Sequence, residues 1–242
     1  MTTLDFLYLA LIIVLLFVDH FVLWPTFLRR AKTSAGRARV ELWLGYMIML
    51  WTMVFAGIAL WQSEARTWEF LRMISPHGWQ MWVATVLVLA LIYTQARPVL
   101  RIVRSRSPLR VKMGNPHVER LAPHTGVELG WWVGVSLTAG FCEEFVFRGY
   151  LIWVFQPLLG LWGAAALSVV AFGLAHTYQG AKGILITSVI GAILTLVVVI
   201  LGSLLPAMAL HAIADVGQGL VAWLALRQSQ GEGTTVAEGE ET

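Results

Sequence analysis

Charge is what this sequence has least of. Asp, Glu, Lys and Arg make up 13% of its 242 residues, against about 25% in an ordinary soluble domain. Too little polar surface remains to wet a globule, so most soluble folds are excluded. The same scarcity, with 58% hydrophobic residues and a mean hydropathy of +0.73, excludes disorder. Cysteine is nearly absent as well. The single Cys142 cannot form an intramolecular disulfide, so cysteine usage does not tell the redox compartment. The zinc-helix pattern H-E-x-x-H, the nucleophile elbow G-x-S-x-G and any internal repeat are also missing.

What is present is a series of apolar runs. A bilayer-spanning helix takes about 20 residues, because roughly 30 Å of hydrocarbon is crossed at about 1.5 Å per residue. The composition predicts an all-α, polytopic membrane helix bundle of about seven transmembrane helices. The first run, Leu4 to Trp24, has no basic segment before it and no small-residue cleavage site after it, which predicts a retained helix rather than a signal peptide. Further helices are predicted over Leu42 to Gln62 and Trp79 to Gln95. Next come Val127 to about Arg148, continuing to Phe155, then Leu161 to His176, Gly183 to Leu201 and Leu204 to Leu226. The stretch Ser63 to Gly78 mixes aromatic and charged residues as an interfacial segment does. Gly130 and Gly134 form a small-xxx-small face suited to close helix packing. The acidic tail, Gln228 to Thr242, has no apolar period and reads as a disordered extension. The chain thus divides into three N-terminal membrane helices with two basic loops (1–126), a core (127–226) and a tail (227–242).

The basic residues give topology rather than nucleic-acid binding. Of 17 Lys and Arg, five lie between Arg29 and Arg39 and seven between Arg97 and Arg120, while the loop between them carries only Arg66 and Arg72. The positive-inside rule puts both basic loops in the cytoplasm and the N-terminus outside. Seven crossings then put the C-terminus in the cytoplasm of a cell-membrane protein. The basic loops also suit contact with anionic lipid.

Inside the apolar second half stand Glu128, Glu143, Glu144, Arg148, His176, His211 and Asp215. Each ionisable residue near a helix centre costs about 2.5 to 3.5 kcal/mol even on the lenient insertion scale, so such residues come with a partner or a task. On a helix, Glu144 and Arg148 are i and i+4 and can pair, whereas Glu143 points about 100° away and stays free. His211 and Asp215 share the same spacing, which lets the carboxylate orient the ring. Glu and His together supply an activated water, oxyanion stabilisation and a proton for a leaving amine, the needs of peptide hydrolysis. Cys142 is a poor nucleophile, because an apolar setting disfavours the thiolate. The same residues would equally serve a proton-coupled transporter or channel as a buried relay, or sit in an inert scaffold.

The set Glu143-Glu144-x-x-x-Arg148, Phe172-x-x-x-His176 and His211-x-x-x-Asp215, in this order on successive membrane helices, resembles the CAAX protease and bacteriocin-processing family of intramembrane proteases. That family includes the type II CAAX prenyl endopeptidases. Its motifs are E-E-x-x-x-R, F-x-x-x-H and H-x-x-x-N or D, and the resemblance covers about residues 127 to 226. It implies an endopeptidase acting on a peptide or protein at the membrane. Glu143 and His176 would activate the water, His211 and Asp215 would bind the oxyanion or help hold a metal, and Glu144 and Arg148 would shape the site. A divalent ion such as zinc would find three ligands in His176, His211 and Glu143. Position 215 departs from the prenyl proteases, which commonly carry Asn there. An ionised Asp cannot donate to an oxyanion.

Overall fold

The structure is a computed structural model that describes residues 1–105 and 119–239. Among these residues every regular element is helical. Six helices are long and apolar enough to cross a membrane. In chain order the helices are α1 (Thr3–Arg30), α2 (Ala35–Ser63), α3 (Trp79–Arg104), α4 (Gly126–Glu143), α5 (Ile152–Ala175), α6 (Gly180–Leu201) and α7 (Leu205–Gly239). A π-helical segment, Glu144–Leu151, joins α4 to α5 without a break. The long rod that results is broken at Gly160, whose φ of 67° belongs to the left-handed region open to glycine. This break falls between the predicted helices ending at Phe155 and starting at Leu161, so the fifth predicted helix is the short arm of one long element, and the six helices able to cross come close to the expected seven.

The helix ends run further than the apolar runs do. α1 continues past Trp24 to Arg30, α2 starts at Ala35 rather than Leu42, and α3 reaches Arg104. Seven arginines expected in loops, Arg29, Arg30, Arg37, Arg39, Arg97, Arg101 and Arg104, are therefore helical. Long basic side chains bury their stems and hold their heads at the interface, so a helix need not end where hydropathy falls. Residues 106–118, the middle of the second basic loop and of its proposed lipid contact, lie outside the described residues. At the other end of the chain, α7 stays helical past Gln228 to Gly239, where the sequence predicts disorder. No proline follows Pro206, and extending a formed helix adds one hydrogen bond per residue fixed.

Buried polar contacts tie the ends of the bundle. At one end Arg66 pairs with Asp5 at 2.7 Å, Tyr150 donates to the same carboxylate at 2.9 Å, and the Leu204 amide donates to the Arg72 carbonyl at 2.9 Å. The N-terminus, the 64–78 segment and the turn before α7 therefore share that end. At the opposite end Arg39 pairs with Glu128 at 2.8 Å, joining α2 to the start of α4, and Gln228 donates to the Ile102 carbonyl at 2.6 Å. The described parts of both basic segments lie there.

The main core packs α1 and α2 against the π segment and the inner faces of α5, α6 and α7, through Tyr8, Met53, Trp61, Phe145, Tyr150, Phe172 and Val198. Large apolar side chains on the outside, such as Phe6, Phe55, Trp82 and Ile190, are exposed, as a lipid-facing surface requires. The expected small-residue face is not where helices approach closely. A side chain at Gly130 would meet nothing within 4 Å, and one at Gly134 would make only ordinary contact with Met47. The close approach is one to two turns further on, at Gly140, where an added Cβ would lie 2.8 Å from the Ala212 backbone nitrogen.

Candidate active site

That approach sets the site. With α4 pressed against α7 at Gly140 and Ala212, the next turn of α4 brings Glu143 and Glu144 against His211. The register is fixed again by Trp132, whose indole N–H donates to the Asp215 carbonyl at 2.8 Å.

The π segment begins at Glu144. Such segments are rare and recur at functional sites, because an i to i+5 pattern frees carbonyls and turns side chains out of helical register. The Phe147 carbonyl of the segment accepts the Ser168 hydroxyl of α5 at 2.7 Å. Within the segment Arg148 Nη1 donates to Glu144 Oε1 at 2.9 Å, and both side chains are fully buried. The guanidinium also donates to the Thr195 hydroxyl and the Gly191 carbonyl of α6, and lies 3.9 Å above the Phe172 ring. Glycine at 191 is required by this contact, since a Cβ there would lie 2.8 Å from Phe172 and 3.0 Å from Arg148.

Glu144 has a second partner that spacing alone does not show. Its Oε1 accepts from His211 Nδ1 at 2.8 Å. The carboxylate that orients the His211 ring at Nδ1 is thus Glu144, from another helix, and not Asp215. Asp215 faces the other ring nitrogen, with Oδ2 3.5 Å from Nε2, and Glu143 Oε2 stands 3.8 Å from the same atom. Three carboxylates around one imidazole are compatible when both ring nitrogens carry protons. Glu144 is sealed, whereas the side chains of Glu143 and Asp215 are 14% and 32% exposed, so those two form the open side of the site. Glu143 Oε2 is buried and has no hydrogen-bond partner among the described residues.

His176 ends α5. From Leu161 to Ala175 that helix rises about 22 Å, short of the roughly 30 Å of a hydrocarbon core, so the turn carrying His176 stops inside the bundle. Its Nδ1 donates to the Phe172 carbonyl at 2.8 Å, which leaves Nε2 with a free lone pair. The ring sits 4.7 Å from Phe172, whose other neighbour is His211 at 6.0 Å. Direct contacts therefore join Glu143, Glu144, Arg148, His211 and Asp215, and His176 enters through Phe172. Cys142 is buried in the apolar core.

Among the described residues no three His, Cys, Asp or Glu side chains converge as a metal-holding group. His176, His211 and Glu143 as arranged do not fit a bound ion. The sequence reading also passed over three residues beside the site, Asp19, Tyr46 and Tyr178. Asp19 carried a signal, as an acid inside the first apolar run; the two tyrosines carried none.

Residues 125–217 match a known protein family, described as type II CAAX prenyl endopeptidase Rce1-like. The matched segment holds all seven residues of the three motifs. No curated protein and no solved structure matches the chain.

Proposed function

We propose, from the premise that residues 125–217 belong to the Rce1-like family of type II CAAX prenyl endopeptidases, that this multi-pass membrane protein is an intramembrane endopeptidase driven by a Glu143-activated water. The observation that carries the reading is the division of labour between adjacent glutamates. Glu144 is spent on Arg148 and His211 Nδ1, while Glu143 keeps an unpartnered oxygen beside His211 Nε2.

In this mechanism Glu143 takes a proton from water as the water oxygen attacks the scissile carbonyl carbon. His176 Nε2, whose lone pair faces away from its own helix carbonyl, accepts the water's other hydrogen. His211, held at Nδ1 by Glu144, donates Nε2–H to the oxyanion, and Asp215 stabilises the charged ring. The C–N bond then breaks, and the amine nitrogen leaves with the proton held by Glu143. General base catalysis of this kind contributes about 10² to 10⁴ in rate.

The two basic segments share the end opposite the N-terminus, and the positive-inside rule makes that end cytoplasmic. Substrate enters from there or from the bilayer, and the basic segments rest on anionic lipid. A prenylated CAAX peptide is the first substrate class to test, since the family's description names it. Purified protein in lipid nanodiscs, incubated with a farnesylated CAAX peptide and analysed by mass spectrometry, should release the C-terminal tripeptide, and Glu143→Gln should not. Proton uptake by proteoliposomes with no cleavage of any peptide would turn the reading to a relay.

A further inference from the structure

α1 contains a second π-helical segment, Asp19–Leu23, immediately before Pro25. A proline ring clashes with the carbonyl four residues back, and the wider π turn relieves that clash. The consequence is positional. Asp19 is turned inward to 6% exposure, although its neighbours Phe17, Phe21 and Val22 face outward.

The turn after His176 receives this segment. His20 Nδ1 lies 3.1 Å from the Thr177 hydroxyl, and the Trp24 ring packs 5.1 Å from Tyr178. Tyr178 in turn lies 5.9 Å from His176 and 6.3 Å from Tyr46 of α2. A continuous row of rings therefore links Tyr46 through Tyr178, His176 and Phe172 to His211. Asp19, one residue before His20, is thereby placed at the Tyr178 end of this row, where Tyr46 also packs. Asp19 Oδ1, Tyr46 Oη and Glu143 Oε2 are each buried and without a hydrogen-bond partner among the described residues. Buried polar atoms are rarely left so, and several together point to a shared partner such as water.

We infer that Tyr46 and Asp19 form the far wall of the catalytic cavity and hold the hydrolytic water on Glu143. This rests on the endopeptidase reading and adds two residues to it from the helices outside the family match. Asp19 accepts the Tyr46 O–H, which turns a hydroxyl lone pair toward the cavity. The water donates one hydrogen to that lone pair and the other to Glu143, so its own lone pair faces the scissile carbonyl. As the tetrahedral centre forms, the second hydrogen of the water oxygen turns from Tyr46 to His176 Nε2. When the water attacks, its proton passes to Glu143 and Tyr46 neither gains nor loses one. Tyr46 touches the reacting water and is catalytic, while Asp19 acts through Tyr46 and is a positioning residue.

The test compares Tyr46→Phe, Asp19→Asn, Asp19→Leu and the Tyr46→Phe/Asp19→Leu pair in full-length protein in nanodiscs, cleaving a farnesylated CAAX peptide. Tyr46→Phe should lower kcat at least tenfold with KM unchanged. Asp19→Asn should stay within about threefold of wild type, because the amide oxygen still accepts the tyrosine O–H. Asp19→Leu should fall as far as Tyr46→Phe, and the pair no further than either. A Tyr46→Phe enzyme with kcat within twofold of wild type, or with KM raised at constant kcat, overturns the inference. So does an Asp19→Asn enzyme as impaired as Asp19→Leu. No cleavage by the wild type overturns the endopeptidase reading, and this inference with it; the other results leave that reading standing.

Discussion

Removing Arg148 tests whether a buried ion pair does two jobs here, stability and aim. The guanidinium is fully buried, bonded to Glu144, Thr195 and the Gly191 carbonyl, and stacked on Phe172. Arg148→Ala leaves the Glu144 carboxylate without its cation, and breaking one side of such a pair costs about 3 to 5 kcal/mol. Replacing both partners, as Glu144→Leu/Arg148→Leu, removes the stranded charge and is often neutral or stabilising. Against that stand two unmet acceptors on α6 and the unmet His211 Nδ1 donor, at about 1 kcal/mol each. The double variant should therefore unfold within about 3 kcal/mol of wild type, and above Arg148→Ala. Unfolding by dodecyl sulfate in mixed micelles, followed by tryptophan fluorescence, measures this. Activity should not return with stability, because His211 Nδ1 has lost its acceptor. If the double variant cleaves within tenfold of wild type, Glu144 does not aim His211. If Arg148→Ala loses under about 1 kcal/mol, the pair is not a clamp.

Glu143→Gln should fold normally and lose at least 100-fold in cleavage; activity within tenfold of wild type, about 1.4 kcal/mol, would end its assignment as base. Asp215→Asn should cost about 10 to 100-fold in kcat with KM kept, the usual range for a group that supports a histidine, whereas a gain in activity in the same peptide assay would make position 215 an oxyanion donor. Gly140→Leu should abolish folded protein, as judged by gel filtration in detergent, because its Cβ meets the Ala212 backbone, while Gly130→Ala should behave as wild type. Cysteines placed at Thr2 and Ser75 should be labelled from outside intact cells and one at Ser34 only after permeabilisation, since Asp5 and Arg66 tie the first two to one end; labelling of Ser34→Cys from outside would invert the topology.

The membrane helices were legible because lipid filters sequence strongly: an uncompensated charge inside a span is costly, so apolar runs map onto spans. Their ends were not legible. Arginine is tolerated within a helix as long as its head reaches the interface, and Arg37, Arg39, Arg101 and Arg104 extend α2 and α3 past the apolar limits. Within the site, Glu144 with Arg148 could be read because i and i+4 neighbours meet on any helix. The partner of His211 could not. Spacing offered Asp215, four residues away on the same helix, but the Nδ1 acceptor is Glu144, 67 residues earlier. That bond exists only because Gly140 lets α4 and α7 touch.

The two π segments were invisible to periodicity for a related reason, and they account for what the site contains. Each adds a residue to a turn, so its cost is met by contacts that no local pattern encodes. At Glu144–Leu151 the return is the Ser168 bond to the Phe147 carbonyl and a buried Glu144–Arg148 pair. At Asp19–Leu23 it is an acid turned inward and a histidine set against the turn that follows His176. The family match covers only the first of these segments. A site assembled from residues 125–217 alone would hold the two glutamates and the imidazoles but lack the buried, unpartnered oxygens of Asp19 on α1 and Tyr46 on α2. On the proposed mechanism the N-terminal helices belong to the chemistry and are not merely its anchor, a distinction that the Tyr46→Phe measurement decides.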